Sequence, residues 1–316
     1  MIEYDQHFGY QLPYSETYAG LPVAHPPSEG QTPPKGEVAW RLMANGWSDG
    51  PDKIVEVIDA FVGSVDPARV TALVIGAWED CYDTSSAALV ERLVAHAPRL
   101  TALRALFLGA IASQEAEISW IQQSDVTPLL EAFPKLERFE VRGGTGLALS
   151  PVRHEALRIL RFETGGLPSA VVRAVAASDL PALEHLELWL GVSEYGGDAT
   201  VADLAAILSG ERLPALRHLG LQDSEIQDEI AAAVASAPVV ARLGSLALSM
   251  GALTDTGAEA LISGQPLTHL TALDLHHHYL SDEMTERVAE ALPGVRVDLS
   301  EQEEIDEDWI YVAVDE

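Results

Sequence analysis

A six-residue unit with apolar residues at its first, fourth and sixth positions, L-x-x-L-x-L in its purest copies, recurs along the chain and constrains its fold more than any other feature. It reads Val70-Leu73-Ile75, Leu103-Leu106-Leu108, Leu136-Phe139-Val141 and Leu157-Leu160-Phe162. It continues as Leu183-Leu186-Leu188, Leu216-Leu219-Leu221, Leu243-Leu246-Leu248 and Leu270-Leu273-Leu275, with a weaker last copy at Leu292-Val295-Val297. The fourth-position residues are separated by 33, 33, 21, 26, 33, 27, 27 and 22 residues. Within each unit the last two apolar residues alternate at period two. A short strand therefore turns both into a core and sends the residues around them to the other face. One such strand cannot bury its apolar side alone, whereas a stack of them can.

Between the strands lie segments of helical period: Thr84–His96, Ser169–Ala176, Thr200–Leu208, Glu225–Ser236, Thr254–Ser263 and Ser281–Leu292. Several open on a capping hydroxyl followed by a first-turn acid, as in Thr254-Asp255 and Ser281-Asp282. Proline steps after the helices stop them and turn the chain back. Strand, turn, helix and turn, repeated, make an α/β solenoid: a leucine-rich-repeat horseshoe with parallel strands on a concave face and helices on a convex one.

These units resemble the ribonuclease-inhibitor-like leucine-rich repeats over roughly Val70 to Ser300. More narrowly, VAWRL at Val38–Leu42, SWIQQSDVTPLLEAFP at Ser119–Pro134 and LDLHHHYLSD at Leu273–Asp282 resemble a family of bacterial cytoplasmic repeat proteins with no assigned activity. Members of that family lie near genes for ATP-grasp and radical enzymes, so the resemblance implies a cytoplasmic protein with partners among enzymes of one bacterial operon. One departure stands out. The Asn or Cys that usually follows the strand is missing from most units, which predicts turn geometry that varies between repeats.

The ends of a solenoid need caps, because a terminal repeat otherwise exposes its apolar flank. Residues 38–69 supply one, with a strand at Val38–Leu42 and an amphipathic helix at Pro51–Val62. Residues 1–37 read as an extended arm, irregular over the Pro-, Gly- and Tyr-rich stretch from Tyr10 to Gly36. The solenoid proper spans residues 70–300. The last segment, residues 301–316, is an acidic tail, Glu301 to Asp308, ending in the apolar run Trp309–Val314, which reads as a terminal strand.

Residues at equal motif positions form rows across the face turned away from the core. Before the fourth-position residue the row reads Ala72, Ala105, Arg138, Ile159, His185, His218, Ser245, Ala272. Between the paired apolar residues it reads Val74, Phe107, Glu140, Arg161, Glu187, Gly220, Ala247, Asp274. After them it reads Gly76, Gly109, Arg142, Glu163, Trp189, Gln222, Ser249, His276. The first repeats thus carry an apolar patch on Val74 and Phe107, which needs a cover; the arm is the nearest candidate. In the middle the charges alternate, Glu140–Arg161–Glu187 and Arg142–Glu163, as cross-strand ion pairs do. In the last zone a small floor of Gly220, Ala247 and Ser249 is walled by polar and aromatic side chains, the form of a binding pocket. His185, Glu187, Trp189, Tyr195, His218, Gln222, Asp223, Asp274 and His276 are the candidate binding residues there. The loop Gly191–Asp198 is expected to overhang them with Glu194 and Tyr195.

Chemistry finds little purchase. His276-His277-His278 cannot converge on one ion if strand residues alternate faces, although His185 and His218, adjacent in a row, could share a metal with Asp223 or Glu187. Glu187 and Asp274 are three strands apart, too far for a glycosidase carboxylate pair. Cys81 follows Glu79-Asp80, which disfavours the thiolate, and Gly143-Gly144-Thr145-Gly146 lacks the lysine of a phosphate loop. No catalytic residue, metal or cofactor is therefore assigned. The lone cysteine fits a reducing compartment. The acidic opening MIEYDQHFGY does not read as a signal peptide, and no apolar stretch has membrane-spanning length. With 49 Asp and Glu against 19 Lys and Arg, a formal charge of −30 repels nucleic acid and favours a basic partner. The sequence thus predicts a non-catalytic scaffold that binds a protein or peptide on the concave face. The alternative is an accessory subunit or weak enzyme holding a small ligand or metal at the His185/His218/Asp274 zone.

Overall fold

The structure is a computed structural model that describes residues 16–27, 34, 36–44, 53–305 and 310–314. Parts of the Tyr10–Gly36 arm, the start of the helix expected from Pro51, the end of the acidic run and Trp309 lie outside the described residues. The chain divides into two compact units, Met1–Ala148 and Leu149–Glu316. Each is a leucine-rich-repeat-like stack of parallel strands joined by helices. Among the described residues, no helix is long and apolar enough to cross a membrane.

In the first unit, strands β1 (Thr17–Tyr18) and β2 (Leu21–Ala24) form an antiparallel hairpin. Its turn is Ala19-Gly20, both at positive φ, 52° and 75°, the pairing a two-residue hairpin turn requires. Part of the arm expected to be irregular is therefore a strand pair. Strand β2 then runs parallel to β3 (Ala39–Leu42), followed by β4 (Ala72–Ile75), β5 (Ala105–Leu108) and β6 (Arg138–Arg142). Leu73, Leu106 and Phe139 stand opposite one another, as the repeat demands. Helices α1 (Ile54–Ser64), α2 (Ala87–His96) and α3 (Thr127–Ala132) pass between strands. Helix α1 buries Ile54, Ile58, Phe61 and Val62, a stripe at helical spacing. The short α3 carries too brief a periodic pattern to be read. It is set by Asp125, which accepts bonds from the Thr127 amide and hydroxyl, and by a proline at the helix start.

The apolar patch is covered. Val74 and Phe107 are wholly buried, in one cluster with Tyr18, Ala39, Ala72, Ala105 and Ala110, and Leu21 and Val23 pack against it. The Tyr18 ring lies 6.2 Å from that of Phe107, and the Arg138 guanidinium sits 5.1 Å from its centroid. The hairpin is thus held by the apolar side chains it shields.

In the second unit, strands β7 (Ile159–Glu163), β8 (His185–Gly191), β9 (His218–Ser224), β10 (Ser245–Ala247), β11 (Ala272–Asp274) and β12 (Arg296–Asp298) are parallel and in register, placing Leu160, Leu186, Leu219, Leu246, Leu273 and Val297 in one row. In the last, weaker copy the register thus differs from the motif: Val297, and not Val295, stands opposite Leu273. The connecting helices are α4 (Ser169–Ala177), α5 (Val201–Ser209), α6 (Gln227–Val234), α7 (Asp255–Ile262) and α8 (Asp282–Ala291). In the last four repeats the turns do not vary as expected. Asp223, near the end of β9, and Met250, His277 and Glu301, three residues past β10, β11 and β12, all take positive φ, at 55°, 70°, 52° and 58°. Each swings the chain out of its strand by the same left-handed step, so one geometry serves different side chains.

A ladder of carboxylates joins the helix starts. Asp228 in α6 accepts bonds from the Thr254 amide and hydroxyl at 2.8 and 2.6 Å, and from the Gly257 amide. Asp255 in α7 does the same for the amide and hydroxyl of Ser281, both at 2.8 Å. Thr254 and Ser281 are the N-caps of α7 and α8. Each acid therefore sits in a favourable first turn and fixes the cap of the next repeat. Gly257 is required: a Cβ there would lie 2.4 Å from the Asp228 carboxylate.

The apolar tail is not a strand over residues 310–314. It is irregular, and it lies against the strand ends. The Ala313 amide donates to the Met250 carbonyl at 2.7 Å and the Val314 amide to Asp223 Oδ1 at 3.0 Å. The Tyr311 amide donates to the Tyr279 hydroxyl, which in turn donates to the Tyr311 carbonyl.

Candidate functional site

The strand register of the second unit sets His185 beside His218 and Ser245, Glu187 in line with Gly220, Ala247 and Asp274, and Trp189 beside Gln222. These are the rows read from the sequence. The open pocket expected among them is not there. His185, Glu187, Trp189, His218, Gln222, Asp223, Asp274 and His276 are each at most 8% exposed. The floor is filled by its own walls, since a Cβ on Gly220 would meet Gln222 Oε1 at 2.7 Å and Glu187 Cγ at 2.8 Å. The glycine makes room for two long polar side chains to lie flat across the strand.

The residues form two groups. In the first, the His185 and His218 rings stack, 4.1 Å between centroids and 8° apart. Both Nε2 atoms approach Glu187 Oε1, at 3.0 and 3.5 Å. The other carboxylate oxygen lies 2.6 Å from Arg161 Nε, which also stands 3.2 Å from Glu163. The Arg161 guanidinium is 5.8 Å from the centre of the Trp189 ring. His218 Nδ1 pairs with the Ser245 hydroxyl at 2.8 Å. In the second group, Gln222 donates to Ser249, Ser249 donates to Asp274, and Asp274 pairs with His276 Nδ1 at 2.7 Å. Asp274 thus belongs with His276 and not with the histidine pair, contrary to the grouping His185/His218/Asp274. The side chain of Asp223 faces the tail at Val314.

Tyr195 and its loop are anchored on the preceding repeat. Gly191 pairs with Gly166, the Asp198 carboxylate accepts the Ser169 amide at 2.6 Å at the start of α4, and Tyr195 itself is half-buried. A Cβ on Gly166 would run into the Tyr195 carbonyl at 2.2 Å, so two glycine-lined backbones touch there. The three consecutive histidines diverge: His276 to Asp274, His277 to the Tyr311 carbonyl, His278 to the Leu299 carbonyl. The left-handed turn at His277 separates them, not strand alternation.

Electrostatics follow burial. For Glu187 burial alone would raise the pKa, but Arg161 and the two imidazoles hold it well below the carboxylate range. Burial, helped by His218, lowers His185 to about 4 in spite of Glu187. For His276 burial is again opposed, and Asp274 raises its pKa. Burial comes first in raising the Cys81 thiol, ahead of Glu115 and Asp80.

The His185 shift has a measurable sign. An unfolded imidazole takes its proton near 6.5 and the folded one only near 4. Between those values the unfolded chain holds more protons, so stability falls as pH falls through that window and is intact above it. Glu187 adds a further loss only below about pH 4, through its depressed pKa. The His185 part is on the order of 3 kcal/mol. In urea titrations across this range, His185→Gln is expected to flatten the acid-side loss, and an unaltered slope would contradict the assignment.

No protein-family model matches this chain, and no curated protein matches it. A solved structure of a Bacteroides fragilis protein is similar, at a TM-score of 0.75 and 29% identity over 82% of this chain and 72% of that one. An internalin from Listeria monocytogenes aligns at a TM-score of 0.40 and 16% identity, over 74% of this chain and 56% of that one.

Proposed function

We propose that the chain is a non-catalytic module that binds a protein or peptide through the strand rows and strand ends of its second unit. The observation that carries this reading is the seat of residues 310–314. A short irregular piece of the chain is held there at the ends of β9, β10 and β11 through its backbone amides, by Asp223, the Met250 carbonyl and Tyr279. Recognition through the backbone is a common way to take up a peptide with little demand on its sequence. The adjoining rows are held by hydrogen bonds and ion pairs among their own side chains, so the strand ends they adjoin are ordered in advance, which lowers the cost of binding. The acidic balance supports a partner whose approach is steered by basic residues. The ribonuclease-inhibitor-like horseshoe form of the repeat, a cytoplasmic setting and partners among enzymes of the same operon belong to this proposal, on the strength of the repeat motifs.

The reading is tested in the full chain by Val314→Pro, which removes the amide donated to Asp223 and leaves the seat itself unchanged. Hydrogen exchange at the Ala313 amide should accelerate about tenfold or more, and capture of a partner should rise. Faster exchange with unchanged capture would place the partner site elsewhere.

A further inference from the structure

We propose that His185, Glu187 and His218 form a binding site for a single divalent transition-metal ion of the zinc type. Among the described residues this is the one group of three or more His, Cys, Asp or Glu whose ligand atoms lie within 4.8 Å of one another. Both imidazole Nε2 atoms already face the same carboxylate oxygen, at 3.0 and 3.5 Å. An ion about 2.0–2.2 Å from each donor replaces those contacts with metal bonds. Two histidines and a carboxylate are a donor set suited to zinc, and three protein ligands leave a fourth position for water.

The surroundings match what a metal centre needs. Ser245 holds His218 Nδ1 at 2.8 Å, so that the Nδ1–H form, with its Nε2 lone pair directed at the site, is the one the hydroxyl supports by accepting a bond. Arg161 lies 2.6 Å from the second Glu187 oxygen and fixes the carboxylate while leaving Oε1 to the ion. One movement is required. Lone pairs of two rings parallel to within 8° do not meet at a point, so one imidazole must turn about its Cβ–Cγ bond. His218 has the room, being 10% exposed at its side chain against 3% for His185.

The test uses the full chain stripped of metal by a chelator and titrated with Co²⁺, then Zn²⁺, read by the visible Co²⁺ spectrum and by metal content after gel filtration. One ion per chain is expected, with Zn²⁺ displacing Co²⁺. His218→Gln should lose it while keeping the urea midpoint near that of the parent. Ser245→Ala, which leaves all three ligands in place, should weaken binding about 10- to 100-fold. If no ion is retained, or if His277→Gln loses the ion and His218→Gln keeps it, the proposal is overturned, in the latter case in favour of the His276–His278 run. Neither outcome bears on the peptide seat, which uses other residues.

Discussion

Leu219→Asp should abolish cooperative folding of the second unit. Leu219 is fully buried in β9, between Leu186 and Leu246 in the inward row. Removing it takes away a packed side chain worth about 2–5 kcal/mol. The carboxylate put in its place has no partner in an apolar row, a further penalty of several kcal/mol. Against a net stability of about 5–15 kcal/mol for a domain, the combined loss is decisive. Leu219→Met, which keeps volume and chemistry, should cost less than about 1.5 kcal/mol. A normal melting transition in the Asp variant would mean that the repeat register is wrong.

Arg161→Ala should be the most damaging change among the row side chains. The guanidinium stands 2.6 Å from Glu187 and 3.2 Å from Glu163, two carboxyl groups almost closed to solvent. Taking one partner from a buried ion pair costs about 3–5 kcal/mol, because the charge left behind keeps its desolvation penalty. The loss should shrink below about pH 4 to 5, as the Glu187 carboxyl, freed of the cation that depresses its pKa, takes up a proton. Arg161→Lys should recover part of it. A surface-like loss of less than about 0.5 kcal/mol in Arg161→Ala would show that these side chains lie open to water.

How far the sequence revealed this architecture depended on which physical term set each part. The inward rows were legible because a buried strand of this kind must carry Leu or a close substitute at fixed spacing, and the observed pairing of Leu186, Leu219, Leu246 and Leu273 follows the motif residue for residue. The hairpin of the arm was missed, since one turn sets it and its strands are two and four residues long. The Ala19-Gly20 step between Tyr18 and Leu21 was the available signal. The carboxylate ladder had a partial signal, in Asp255 after the capping hydroxyl of Thr254, but Asp228 follows no such hydroxyl, and which repeat each acid serves is a matter of three-dimensional spacing. The row residues of the second unit were placed on the correct face yet imagined around an open floor. Whether Gly220 leaves a hole or admits a neighbour depends on how Glu187 and Gln222 lie down across it, which periodicity does not encode.

The central claim is that the strand ends of the second unit hold a short segment by its backbone amides, now supplied in cis by residues 310–314. Its most direct test is calorimetric titration of a synthetic peptide spanning residues 309–316 into the chain ended at Ile305. The expected result is saturable one-to-one binding that Asp223→Gly weakens and that a scrambled peptide does not reproduce. Absence of saturation up to millimolar peptide, with the shortened chain still folded, would contradict it.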